Sequence, residues 1–238
     1  MISASVAHNK NRINKLSQAM KDAQAQYEAD ESSNPYVIYK EGYSMDAIWV
    51  VPSYGIDPAT GKELFVGDDG EPTFTWSAKR LAACGNTQPK YYGNINSTFR
   101  WNKFLVSFSM GYRMGGQIYN QTLADKVENV NYDNNVDRRV YTDRWQKPGD
   151  VAQFKGLNET TTTKKTSRFV QDENTFKGNS INVSYEWRSK WLRKNLHLEH
   201  LTIQSGIDDL FYISTVKRER GTSYPYSRQY TLSLSAMF

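Results

Sequence analysis

The sequence predicts an all-β fold: an antiparallel up-and-down transmembrane β-barrel, represented by its C-terminal strands only, about seven of them, with long extracellular loops. Three observations predict it. The last nine residues, Tyr230 to Phe238, alternate apolar and small polar side chains as far as Ala236 and end on an aromatic. Six further runs repeat that pattern, and the connections between runs alternate in length. Successive side chains of a strand point to opposite faces, so one face of each run suits lipid and the other water.

Along the chain, Ile2, Ala4 and Val6 alternate with Ser3 and Ser5 in the first run. Asn9 to Pro35 differs in kind: Ile13, Leu16, Met20 and Ala23 fall at helical spacing and predict a short helix. Met45, Ala47, Trp49 and Val51 alternate with Ser44 and Asp46, although Ile48 and Val50 blur that run. Pro52 to Gln88 reads as a long polar loop with a turn at Asp57, Pro58 and Gly61, where proline sets φ and glycine allows positive φ. Ile95, Ser97, Phe99 and Trp101 form the next run, and Trp101-Asn102-Lys103-Phe104 is a tight hairpin turn. Phe104, Val106, Phe108, Met110 and Tyr112 continue directly.

Met114 to Gly178 is the second long polar stretch, with a turn at Pro148, Gly149 and Asp150 close to Arg144 and Trp145. For Asp57, Arg144 and Asp150 the expectation is local loop stabilisation. Ile181, Val183, Tyr185 and Trp187 make another run. The connection from Arg188 to Glu199 is moderate, and its Arg188, Lys190, Arg193 and Lys194 read as a solvated turn. Leu201 and Ile203 follow, then a third long stretch, Gly206 to Arg228, and finally Tyr230, Leu232, Leu234, Ala236 and Phe238 on one face. Large aromatics stand at the run ends (Trp101, Phe104, Tyr112, Trp187, Tyr230, Phe238), where a membrane barrel carries its aromatic girdles. Short turns on one side and long loops on the other set an orientation, with Phe238 and the short turns periplasmic.

Composition excludes several classes. Mean hydropathy is −0.72 and no apolar stretch reaches the about 18 residues of a helical span, a test that a strand-built membrane protein escapes. Met1 to Ala7 has neither a basic nor an apolar export region, so no export signal is read there. Net charge is +5 and scattered, which predicts no nucleic-acid partner. Cys84 is the single cysteine, and His8, His197 and His200 lie in no nucleophile or metal motif. Asp68-Asp69 and Asp208-Asp209 lack the spacing of a calcium loop. The chain is therefore expected to be no enzyme and to hold no cofactor or metal. A soluble carbohydrate-binding β-sandwich, with its aromatics gathered on one concave face instead of two bands, is the alternative reading.

Several stretches in order resemble the C-terminal portion of TonB-linked outer-membrane transporters of the SusC/RagA type. They are GYSMDAIWVVPSYGIDPATGKELF (Gly42 to Phe65), PKYYGNINSTFRWNKF (Pro89 to Phe104), YNQTLADKVENV (Tyr119 to Val130), RWQKPGD (Arg144 to Asp150), TSRFVQDENTF (Thr166 to Phe176) and ERGTSYPYSRQYTLSLSAMF (Glu219 to Phe238). NKNRINKLS (Asn9 to Ser17) looks like the family's strand exit. The resemblance implies import of glycans or oligopeptides across the bacterial outer membrane. It also implies a SusD-like surface lipoprotein as partner, coupling to TonB-ExbB-ExbD, and delivery to the barrel-assembly machinery through the terminal aromatic strand. The family's plug domain and the remaining strands of its about 22 are not read in residues 1–238, and seven strands cannot close a barrel alone.

Overall fold

A computed structural model of the chain describes residues 1–28, 30–131, 133, 135–217 and 228–238. The elements in order are β1 (Ile2–Ala4), α1 (Gln18–Glu28), β2 (Ala47–Val50), β3 (Ser53–Ile56), β4 (Glu63–Val66), β5 (Pro72–Thr73), β6 (Ala82–Asn86), β7 (Tyr91–Trp101) and β8 (Phe104–Tyr119). Then come α2 (Gln121–Leu123), continued by a π turn over Ala124–Glu128, α3 (Arg139–Thr142), β9 (Val170–Trp187), α4 (Lys190–Leu196), β10 (His200–Ser214) and β11 (Gln229–Met237). The chain forms two compact units: Met1–Asn9, Pro89–Gly115 and Glu173–Phe238 make the first, Lys10–Gln88 and Gly116–Asp172 the second.

The first unit is built on one six-stranded sheet in the order β1-β7-β8-β9-β10-β11. Its hairpins are antiparallel: Trp101 lies opposite Phe104, Leu201 opposite Trp187, and Tyr230 opposite Ile207. The turn at Asn102 needs only two residues because Asn102 adopts the left-handed region (φ 52°), which asparagine tolerates better than most residues. Register sorts the side chains: Trp187, Leu201 and Ala236 share one face with Tyr185, Ile203 and Leu234, whereas Glu186, Thr202 and Ser235 share the other. Phe104 meets Tyr185 at 4.7 Å between ring centroids, so the apolar face of β7 and β8 joins that of β9 and β10. Among the described residues β1 and β11 are edges with one neighbour each, and the sheet is open.

Two expectations are corrected here. The run Met45 to Val51 is not a strand of the large sheet: β2 pairs with β6 in the second unit, so six strands replace the expected seven. Ile48 and Val50, which blurred its alternation, are the reason; Ile48, Trp49, Val50 and Val51 are all buried, as in a strand covered on both faces. The long stretches are also more structured than their polarity suggested. Pro52 to Gln88 holds β3 to β6, and β8, β9 and β10 extend well into what read as loops. Of the stretch Gly206 to Arg228 and the motif from Glu219, residues 218–227 lie outside the described residues.

The second unit has two hydrophobic clusters. Ile38, Trp49, Val51, Phe65 and Leu81 form one, and Leu123, Ala124, Val127, Val140, Phe154 and Phe169 the other. The predicted helix exists but starts later than the spacing implied. Ser17 accepts the Met20 N–H on its hydroxyl and caps α1, while Ile13 exchanges backbone hydrogen bonds with Gly42 and Tyr43 instead of entering the helix. Cys84 sits half-buried in β6, and burial pushes its thiol up.

Candidate functional site

Two features are candidates for function: the apolar face of the large sheet, and a pair of loops in the second unit. On the sheet the apolar row is open. Leu232 is 72% exposed, Tyr230 70%, Phe99 62% and Phe238 85%, and Ile2, Val6, Trp101 and Leu234 are exposed as well. Ala236 belongs to the same face by register. The opposite face carries Thr231, Ser233 and Ser235 opposite Gly206, Gln204 and Thr202, continuing into Asn182, Ser184 and Glu186. A patch of this extent on a water-facing protein is an interaction surface.

The loop residues singled out in sequence come together. Asp57 opens the turn between β3 and β4: its N–H bonds Lys62 O at 2.8 Å and its carbonyl accepts the Gly61 N–H at 2.8 Å. Its carboxylate accepts the Thr60 hydroxyl (2.6 Å) and the Ala59 N–H (3.1 Å), which together hold it below the usual carboxylate range. In the second loop Asp150 N–H bonds Lys147 O at 3.1 Å across Pro148 and Gly149, with Gly149 at φ 97°, the conformation that a type II turn requires. The Asp150 carboxylate also receives the Gln146 and Lys147 N–H groups at 3.1 and 3.0 Å.

The two turns are one structure. Pro58 O accepts both the Gly149 N–H and the indole N–H of Trp145, each at 2.8 Å. The Trp145 ring lies against Gly61 and Gly156: a Cβ on Gly61 would fall 2.5 Å from Trp145 Cε3, and one on Gly156 3.0 Å from the same atom. Gly61 is therefore required twice, by its φ of +71° and by the indole that occupies the space a side chain would need. Local stabilisation describes Asp57 and Asp150; Arg144 does something else. It is buried, and its guanidinium donates to Val127 O (2.6 Å), Glu128 O and Lys155 O (3.4 Å). Those first two carbonyls end the π turn, where helix geometry leaves acceptors without partners.

Beneath lies a charge cluster that sequence reasoning missed. Arg168 Nε is 2.8 Å from Glu63 Oε1, and its terminal nitrogen bridges Glu63 Oε2 (2.8 Å) and Glu128 Oε1 (2.7 Å). Thr166 donates its hydroxyl to Glu63 and Thr163 to Glu128, so the carboxylates are well satisfied. Side-chain exposure is 4% for Glu63 and 0% for Glu128. Burial works against the Arg168 charge, but the two carboxylates outweigh it and hold the guanidinium above its ordinary range. Arg168→Met strands both carboxylates and is expected to cost about 3–5 kcal/mol, read from chemical denaturation. The signal in the sequence was the spacing of Glu63 and Phe65, which puts a carboxylate on the same strand face as an aromatic, the face the structure buries.

The remaining candidates do not assemble. Asp68 pairs with Arg80 at 2.9 Å and Asp209 with Lys177 at 2.8 Å. His197 is the left-handed C-cap of α4.

No protein-family model matches the chain, and no curated protein matches it. Solved structures do. The chain is similar to a chain of the RagAB peptide transporter, with a TM-score of 0.74 and 16% identity over 99% of its own length and 27% of that chain. Structures of the RagAB peptide importer in its open-open and closed-closed states give TM-scores of 0.75 and 0.73, each at 16% identity, covering 100% and 99% of this chain and 26% and 27% of theirs. The chain thus spans about a quarter of the length of the structures it matches. It has the fold of that part of a RagAB transporter chain, and the SusC/RagA-type resemblance carried by its motifs is borne out in the fold.

Proposed function

We propose that this chain supplies barrel wall and outer loops to a TonB-dependent outer-membrane importer of the SusC/RagA type, which takes up glycans or oligopeptides. The observation that carries the reading is the apolar face of the six-stranded sheet, exposed on β1, β7 and β11, partly exposed on the strands between, and backed by a polar face. In water that face is a liability; against acyl chains it is satisfied, and the polar face lines the lumen. The fold shared with RagAB chains supports the same reading. The clasped turns of the second unit stand as part of the outer loops, where a SusD-like lipoprotein docks. Phe238 closes the strand that the assembly machinery reads, and energy reaches the importer through TonB by segments outside residues 1–238. Among the described residues the first unit holds a single sheet, without the second layer of a sugar-binding sandwich. The reading assigns the chain no reaction.

The test places arginine on each face of β11. Leu232→Arg and Leu234→Arg each put a charge into lipid at a cost of about 2–4 kcal/mol near mid-membrane, so both lose the heat-resistant folded band in outer-membrane fractions. Ser233→Arg, facing the lumen, keeps it. Equal tolerance on both faces, or recovery of folded chain from the soluble fraction without detergent, overturns the reading. Uptake of labelled glycans against labelled oligopeptides by cells with and without the gene then separates the two substrate classes.

A further inference from the structure

The connection between β9 and β10 is more than a solvated turn. Ser189 caps α4 by accepting the Leu192 N–H at 3.2 Å, His197 closes it in the left-handed region, and Leu192 is fully buried beneath it. This anchored helix sets two kinds of side chain side by side. Trp191 stacks on Trp187 with ring planes 7° apart and centroids at 6.2 Å, which extends the apolar row of β9 beyond the strand end. Trp191 and Leu196 are both half-exposed. On the next face of the helix, Lys190, Arg193 and Lys194 line a cleft with Arg188, Glu199 and His200. Arg188 is engaged by Glu186; among the described residues no carboxylate pairs with Lys190, Arg193 or Lys194. Lys103, from the tight β7–β8 turn, reaches the Arg188 carbonyl at 3.4 Å and adds a further cation at the same end of the sheet.

We propose that α4 and this cleft form a binding site for the headgroup of an anionic phospholipid in the leaflet that meets the turn end of the sheet. The inference rests on the membrane-wall reading. Two aromatic rings continuous with the lipid-facing row fix the depth of the helix at the boundary, where tryptophan is favoured. Three unpaired cations against one carboxylate, Glu199, give the cleft a net attraction for phosphate, and their long stems reach it from the apolar side. Continuity with the apolar face and the sign of the charge commit the occupant to a lipid; a free anion would use only the cations.

The experiment uses the complete importer purified from outer membranes and reconstituted in phosphatidylcholine vesicles that carry spin-labelled phosphatidylglycerol or spin-labelled phosphatidylcholine. Electron paramagnetic resonance then measures the motionally restricted fraction of each. The expected result is a preference for phosphatidylglycerol of at least about fivefold, the factor that any one of the three near-surface cations would supply alone. In the variant Lys190→Gln/Arg193→Gln/Lys194→Gln the preference falls to unity while the heat-resistant band is kept; the single variant Lys194→Gln, on an exposed position, shows a partial fall if the triple variant assembles poorly. Equal restriction of both lipids in the unaltered protein overturns the headgroup site and leaves the wall reading standing. Loss of the preference when inorganic phosphate is added at constant ionic strength assigns the cleft to free anions and overturns it too. Absence of any restricted lipid means that the wall reading itself has failed.

Discussion

Gly61 joins backbone and tertiary demands at one atom. Gly61→Ala must displace the indole of Trp145, which a Cβ would approach to 2.5 Å, and must also hold alanine at positive φ. The expected loss is about 2 kcal/mol, seen as a lower urea midpoint. Lys155 behaves differently. Burial lowers its ammonium below the ordinary lysine range, with Glu128 opposing that effect. Its folded value lies under its unfolded one, so over that interval the unfolded chain binds more protons and stability rises with pH. Lys155→Met is expected to flatten that alkaline rise in a pH series of unfolding midpoints. What sequence could disclose at this scale was uneven. Asp57, Pro58, Gly61, Pro148, Gly149 and Asp150 declared themselves as turn residues because turn chemistry is local. Arg168 and Glu63 stand 105 residues apart, and no spacing rule connects them.

At the scale of elements, period-two alternation located β7, β8, β9, β10 and β11, because one apolar and one polar face of the sheet impose it. It failed at Met45 to Val51, where both sides of β2 are covered and the alternation no longer marks a strand of the large sheet. It also stopped short on β8, β9 and β10, which run for 16, 18 and 15 residues. On the membrane-wall reading proposed above a spanning strand needs about 9–11 residues, and the remainder of each of these strands would then lie outside lipid and lack the alternation. The β7–β8 hairpin offers a test. Asn102→Val asks a β-branched residue to adopt φ 52° and is expected to cost about 1–2 kcal/mol, with Asn102→Gly near neutral; the unfolding rate of the assembled protein reads the difference.

For the molecule as a whole, the open sheet decides the context in which it persists. Lipid supplies no donors or acceptors, so on the membrane-wall reading the outer edges that β1 and β11 show among the described residues have to be met by neighbouring strands. Hydrogen exchange of the membrane-assembled protein checks this: β11 amides are expected to exchange as slowly as those of β10, and fast exchange along β11 alone would mean an edge left bare. The second unit has its own clusters of buried side chains and its own ion network, so its stability is separable in kind from that of the sheet, which depends on its solvent. The clasp between Asp57–Gly61 and Arg144–Asp150 also bears on inheritance. A transplanted loop keeps the clasp only if it brings an indole to the slot beside Gly61 and Gly156, or a slot to the indole of Trp145. Changes in these two loops should travel as matched pairs, and chimaeras that exchange one loop alone should be the ones that fail.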